Sequence, residues 1–120
     1  MPVSDADLLT EITDPSALPV VIHGTNKKAL AGIMATGLNS GTRQHIHFAQ
    51  GEAGTVKSGM RASADVMIYV DVPLAMAEGI KFYLSENGVV LSRGQDGVLR
   101  RRFFKRVCAR DPATRLFVDV

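Results

Sequence analysis

The chain has 120 residues, enough for one ordinary hydrophobic core and too few for two. At 46% apolar and 22% charged it is globular rather than disordered, and a single cysteine, Cys108, excludes an intrachain disulfide and any metal cluster built on several thiolates. The net charge of +2 is polarised: residues 1–20 hold Asp5, Asp7, Glu11 and Asp14 with no Lys or Arg, whereas residues 21–110 hold thirteen Lys/Arg against six Asp/Glu.

Residues 1–17, acidic and interrupted by Asp14-Pro15, read as a loosely attached lead-in, with the folded lobe spanning 18–120. Pro19-Val20-Val21-Ile22 is a short β-branched run, an expected strand that stops at His23-Gly24-Thr25. Thr25 or Asn26 can cap the following helix, whose stripe is Leu30, Ile33 and Met34 and whose stop is Gly37. Residues 38–44 read as a loop. His45-Ile46-His47-Phe48-Ala49 alternates, so Ile46 and Phe48 take the core while His45 and His47 share the opposite face. After a Gly-containing loop, Ser58-Gly59-Met60-Arg61 reads as the opening of a short helix. Residues 65–72 are apolar on both faces, which predicts a central strand. Pro73 then opens a helix of one to two turns. Ile80 to Leu84 and Val89 to Leu91 read as strands on either side of an Asn87-Gly88 turn, and Asp96-Gly97 turns again. Val107–Ala109 and Leu116–Val118 add further strand. The connections are too short for repeated parallel crossovers, so the expected class is α+β with mostly antiparallel sheet.

Motifs of common chemistry are missing. No apolar run approaches the roughly 18 residues of a membrane span, and the N-terminus has neither the basic start nor the apolar stretch of a signal peptide. A soluble intracellular protein, cytoplasmic or nuclear and without a membrane partner, is the expectation. Three histidines fall within 25 residues, yet no nearby Cys, Asp or Glu completes a zinc site, so no metal is expected. Walker loops, G-x-G-x-x-G and G-x-S-x-G are absent. Asp71 reads as a cap or strand end, and Cys108 as core. His23 is either a satisfied histidine beside a turn or a ligand. Arg100-Arg101-Arg102 with Phe103-Phe104 and Lys105-Arg106 is either a nucleic-acid surface or surface charge beside one core Phe. From the residues alone a small domain with a basic, His-containing face emerges, and no reaction.

The ordered set His23-Gly24-Thr25, Thr42-Arg43-Gln44-His45-Ile46-His47-Phe48-Ala49, Lys57-Ser58-Gly59-Met60-Arg61, Ile68 to Val72 and Ser85 to Leu91 resembles the C-terminal lobe of the RNA 2'-phosphotransferase family (KptA-like), from about Leu18 to Val107. The resemblance implies an ADP-ribosyltransferase-like fold, two split and mostly antiparallel sheets enclosing an NAD cleft. More distantly, H-G-T looks like the first motif of that superfamily and H-I-H-F-A like its G-I-Y-F-A, with His47 in the Tyr position. The superfamily's third position, often Glu, falls at Val89, which faces opposite to Val90. The lack of an acid there argues against ordinary protein ADP-ribosylation.

The implied activity is NAD-dependent removal of the splice-junction 2'-phosphate from tRNA. The RNA 2'-phosphate attacks the nicotinamide ribose carbon of NAD and expels nicotinamide; the adjacent ribose hydroxyl then attacks the phosphate, freeing RNA and leaving ADP-ribose cyclic phosphate. Arg61 and His47 are the implied catalytic residues, Arg61 because its fork can bind two phosphate oxygens. His23, Gly24, Thr25, Arg43, His45, Ser58 and Val89 are the implied NAD-binding residues. The family's enzymes also carry an N-terminal lobe that supplies an Arg-His pair and another Arg, and nothing before His23 matches it. A separate N-terminal lobe is therefore an expected partner. The alternatives are a non-catalytic NAD- or ADP-ribose-binding module and a solitary transferase acting on terminal phosphates of RNA or DNA.

Overall fold

The computed structural model describes residues 9–40, 45–51, 64–86 and 88–120. These residues form two four-stranded sheets and a two-stranded ladder, all antiparallel. In the first sheet the strands β1 (Leu9–Ile12), β6 (Phe82–Ser85), β7 (Val90–Ser92) and β4 (Ile46–Phe48) lie in the order β1-β6-β7-β4. In the second, β10 (Phe117–Asp119), β9 (Phe104–Arg110), β5 (Val66–Val70) and β2 (Ile22–Thr25) lie in the order β10-β9-β5-β2. The ladder pairs β3 (Leu38–Asn39) with β8 (Val98–Leu99). The α+β expectation holds, and β5 is an interior strand as its apolar run predicted.

Two helices connect these strands. Helix α1 (Lys27–Thr36) is capped by Asn26, whose side chain accepts from the Ala29 N–H at 2.9 Å, and it ends at Gly37. There φ is +96° and a Cβ would lie 2.6 Å from the Leu99 carbonyl oxygen, so only glycine closes the helix against β8. Helix α2 (Val72–Ala77) is capped by Asp71, whose carboxylate accepts from the Leu74 N–H at 3.2 Å. Asp71 is thus the cap that its place in the sequence suggested.

The core fills the space between the sheets. Phe48, Phe82 and Phe103 are fully buried in it with Ile46, Ile68, Val66, Val90 and Leu99. Truncating any of these phenylalanines to alanine costs about 3–5 kcal/mol, the transfer term plus the cavity left behind.

Several expectations are corrected. The acidic lead-in is not loosely attached throughout, because Leu9–Ile12 pairs with Phe82–Ser85 as the edge of the first sheet and Asp14 caps a 3-10 turn at Pro15–Ala17. The strand expected over Pro19–Ile22 begins at Ile22 and runs through His23-Gly24-Thr25. Strand β5 supplies backbone partners along that whole stretch, whereas Pro19 has no N–H to offer and Val20 is exposed. The loop read over 38–44 contains β3 at its start, and 41–44 lie outside the described residues. Val72 precedes Pro73 in α2, so the proline is the second helical residue.

Candidate functional site

The two sheets meet where β2 runs beside β4. Ile22 and Ala49 exchange both backbone hydrogen bonds, at 2.8 and 2.7 Å, which stitches the sheets at one point and sets the two histidine-bearing segments side by side. Across that seam His23 Nδ1 lies 2.8 Å from the His47 carbonyl oxygen. A carbonyl only accepts, so Nδ1 carries the proton, and in the neutral ring Nε2 is an acceptor. The His23 ring also meets Phe48 edge to face, with centroids 5.9 Å apart. Burial pushes the imidazole below its ordinary pKa; the bond to the His47 carbonyl opposes this and the neighbouring His47 ring adds to it. His47 Nδ1 donates in turn to the His45 carbonyl at 3.1 Å, which fixes the same tautomer. Gly24 pairs with Met67 and Thr25 with Val66, and the Thr25 carbonyl accepts from the Asp65 N–H at 2.9 Å.

On the first sheet His47 stands on the face opposite Ile46 and Phe48, which are buried, so the alternation read from the sequence is observed. Its cross-strand partner is Leu91, whose partner on the next strand is Tyr83. His45 meets the Tyr83 ring edge to face at 6.0 Å. Val89 is half-buried one residue before β7 while Val90 is fully buried, so the two differ as expected. The Val89 N–H donates to Ser85 Oγ at 3.0 Å, and Gln50 Nε2 donates to the Gly88 carbonyl at 3.0 Å, tying the end of β4 to the β6–β7 turn.

The structure therefore brings His23, His45 and His47 together, with Gly24 and Thr25 on the adjoining strand. Arg43, Ser58 and Arg61 lie outside the described residues. Reading the sequence missed Tyr83 and Leu91. The signal was available in the alternation of Phe82 with Tyr83, one for the core and one away from it, but their partners depend on register.

The basic run is tied into the fold. Phe103 is buried under a 3-10 turn at Arg101–Phe103. Arg102 bonds Glu78 at 2.8 Å and lies over the Phe103 ring, and Arg106 bonds Asp119 and lies over Tyr69. The expected core Phe is Phe103, and Arg102 and Arg106 are half-exposed beside the core. Cys108 is buried, with Sγ 3.3 Å from an Asp119 carboxylate oxygen. Arg110 donates through Nη2 to the Ala64 carbonyl at 3.0 Å, and its Nε lies 3.5 Å from the Asp65 carboxylate. Among the described residues no group of three His, Cys, Asp or Glu is placed to hold a metal ion, and no helix is long and apolar enough to cross a membrane.

What this arrangement can do is bind a polyhydroxylated, planar-ringed molecule. Neutral imidazole nitrogens accept from hydroxyl groups, and half-buried rings offer faces for stacking. Comparison with known proteins narrows the choice. Residues 1–94 match the model of the family described as RNA 2'-phosphotransferase, Tpt1 / KptA family. The chain is 43% identical over 101 residues to tRNA 2'-phosphotransferase 1 of Bos taurus, a match covering 81% of this chain and 40% of that protein. It is 42% identical over 101 residues to tRNA 2'-phosphotransferase 1 of Homo sapiens (81% and 40% covered) and 42% identical over 108 residues to that of Danio rerio (87% and 48% covered). The chain thus spans less than half the length of each of these relatives.

Proposed function

The chain belongs to the RNA 2'-phosphotransferase, Tpt1 / KptA family, and from that premise we propose that it is the NAD-binding lobe of an enzyme that moves a 2'-phosphate from RNA, tRNA in particular, to the ADP-ribose part of NAD. In this reading the two sheets joined at Ile22 and Ala49 are the split sheets of an ADP-ribosyltransferase-like fold. The observation that carries the proposal is the His23–His47 contact at the seam, where the His23 imidazole donates to the His47 backbone carbonyl and the His47 imidazole to that of His45, so that both rings are held in a defined tautomer.

These residues fit NAD as a co-substrate. His23 and His47 hold ribose hydroxyls, and the burial that keeps His23 neutral also keeps its Nε2 available as an acceptor near pH 7. Gly24 leaves its backbone open to close approach, and Thr25 adds a hydroxyl at the end of the same strand. His47 orients the nicotinamide ribose beside Leu91 and Val89. An apolar residue at Val89 suits an acceptor that is already an anion, because a phosphate needs no carboxylate base to attack carbon. What it needs is cations: in this reading the Arg61 guanidinium serves the phosphate oxygens as a bidentate partner, Arg43 and His45 serve the pyrophosphate or RNA, and Ser58 serves NAD. NAD, when bound, supplies the electrophilic ribose carbon and the nicotinamide leaving group.

The test is nicotinamide release from NAD, with and without a 2'-phosphorylated RNA, together with NAD affinity by calorimetry. Release that depends on the RNA phosphate supports the phosphotransferase reading. Release without it points to another acceptor. His23→Ala is expected to weaken NAD binding by about 1–3 kcal/mol, the cost of a lost buried hydrogen bond. Unchanged NAD affinity in that variant removes His23 from the site.

A further inference from the structure

Across the first sheet the residues Glu11, Tyr83, Leu91 and His47 are paired directly, strand to strand, and form one row on the face turned away from the core. Their sequence neighbours Ile12, Phe82, Val90, Ile46 and Phe48 pack inward on the other face. We propose that this row is the acceptor side of the site, and that the nucleobase adjoining the RNA 2'-phosphate stacks on the Tyr83–His45 pair. The inference rests on the RNA phosphotransferase reading above and names the residues that would choose its acceptor.

Position is the first argument. His47 sits between two neighbours. On one side is the seam with β2 and His23; on the other are β7 and then β6, carrying Leu91 and Tyr83. A dinucleotide held by both His47 and His23 runs toward the second sheet, so the acceptor must approach from the side of Tyr83. Strands lie about 4.8 Å apart, which puts Tyr83 two strand spacings, roughly 10 Å, from His47.

Chemistry is the second. Tyr83 and His45 are both half-buried, their centroids 6.0 Å apart and their planes at 66°. An edge-to-face pair makes a corner, and a third flat ring fits against the Tyr83 plane. Leu91, only 8% exposed, forms an apolar floor between Tyr83 and His47. The row contains no Lys or Arg and ends in Glu11. It therefore suits an uncharged planar group and repels phosphate, leaving the phosphate to cations elsewhere. Stacking of this kind is tolerant of base identity, as suits an enzyme that acts on a ribose 2'-phosphate rather than on the base.

Rigidity is the third. Tyr83 is held between Glu11 and Leu91 by backbone pairing on both sides, and the β6–β7 turn is tied to β4 through Gln50. A platform fixed before binding loses little conformational freedom when a base lands on it.

The experiment is a nuclear magnetic resonance titration of the 120-residue chain. Three probes are used: NAD, a 2'-phosphorylated adenylyl dinucleotide, and the same dinucleotide with hydrogen in place of the base next to the 2'-phosphate. The expected result is an upfield shift of that base's protons and a response at the Tyr83 ring. Tyr83→Leu weakens dinucleotide binding about tenfold and leaves NAD affinity unchanged, whereas Tyr83→Phe binds both probes like the wild type. Equal affinity of wild type for the base-bearing and base-free dinucleotides overturns the inference without needing any variant to fold. So does a Tyr83→Leu variant that loses NAD affinity alone, which assigns the ring to the adenine of NAD. A wild-type chain that binds NAD but neither dinucleotide overturns the inference too, because this row then gives the acceptor no measurable hold; the phosphotransferase reading falls separately, by nicotinamide release that does not depend on the RNA phosphate.

Discussion

His23 is fixed in the fold by a hydrogen bond, by ring packing and by burial together. Its Nδ1 proton is committed to the His47 carbonyl, its ring packs on Phe48, and burial holds its pKa below the ordinary value. The folded protein therefore binds a proton at this site less readily than the unfolded chain does. That contribution to stability is intact above the unfolded-state pKa near 6.5 and is lost as pH falls from there toward the depressed folded-state value. Replacing His23 by Asn keeps an N–H in reach of the same carbonyl and removes the titration. Thermal unfolding of both proteins between pH 7.5 and 5 is the measurement. The wild type is expected to lose stability more steeply with acid than His23→Asn, and parallel curves would show that His23 does not titrate in this way. The paired carboxylates Asp14, Glu78 and Asp119, all held below their usual range by hydrogen bonds, act only at lower pH and do not confuse the comparison.

At the scale of elements, Arg110 ties the C-terminal strands to the chain entering β5. Its backbone N–H and guanidinium bond the Asp65 and Ala64 carbonyls, Nη1 donates to the Arg115 carbonyl at 3.0 Å, and the guanidinium lies 4.4 Å from the centre of the Phe117 ring. Arg110→Met keeps the stem but leaves those carbonyls without their guanidinium donors, at a cost of about 2 kcal/mol. For a domain of this size the unfolding midpoint should drop by roughly 8 °C; an unchanged midpoint would reduce the clamp to a surface contact. None of this was visible in the sequence, because it joins residues whose proximity comes from the β5–β9 register. What could be read was local: the Asn26 cap and Gly37 stop of α1, the Asp71 cap, the alternation in β4 and the apolar run of β5. Strand β1 was missed because its half-buried apolar residues, Leu9 and Ile12, are three positions apart and do not show the period-2 alternation of a strand. The histidines were legible as a pair on one face. Tyr83 was not legible as their neighbour, since two strand pairings intervene.

At the scale of the whole molecule the question is whether 120 residues can handle a phosphate dianion beside a pyrophosphate. Charge favours attraction, with thirteen Lys/Arg against six Asp/Glu in residues 21–110. Three of these arginines are engaged, however: Arg102 pairs with Glu78, Arg106 with Asp119, and Arg110 faces Asp65. In the reading proposed above Arg61 is the phosphate-binding cation of this chain, and further cations come from a separate N-terminal lobe. One guanidinium satisfies two phosphate oxygens; a dianion approaching NAD needs the remaining charge met as well. The chain by itself is therefore expected to bind NAD and to transfer RNA 2'-phosphate more slowly than a full-length relative by orders of magnitude. Arg61→Lys should remove most of what activity it has, since a point charge cannot reproduce a two-pronged grip. Adding the separate N-terminal lobe of a relative should raise the rate if the two surfaces recognise each other. The measurement is loss of 2'-phosphate from a short labelled RNA at saturating NAD. A rate equal to that of the full-length enzyme would mean that the cations counted as lacking are not needed, and that Arg61 with the seam histidines suffices.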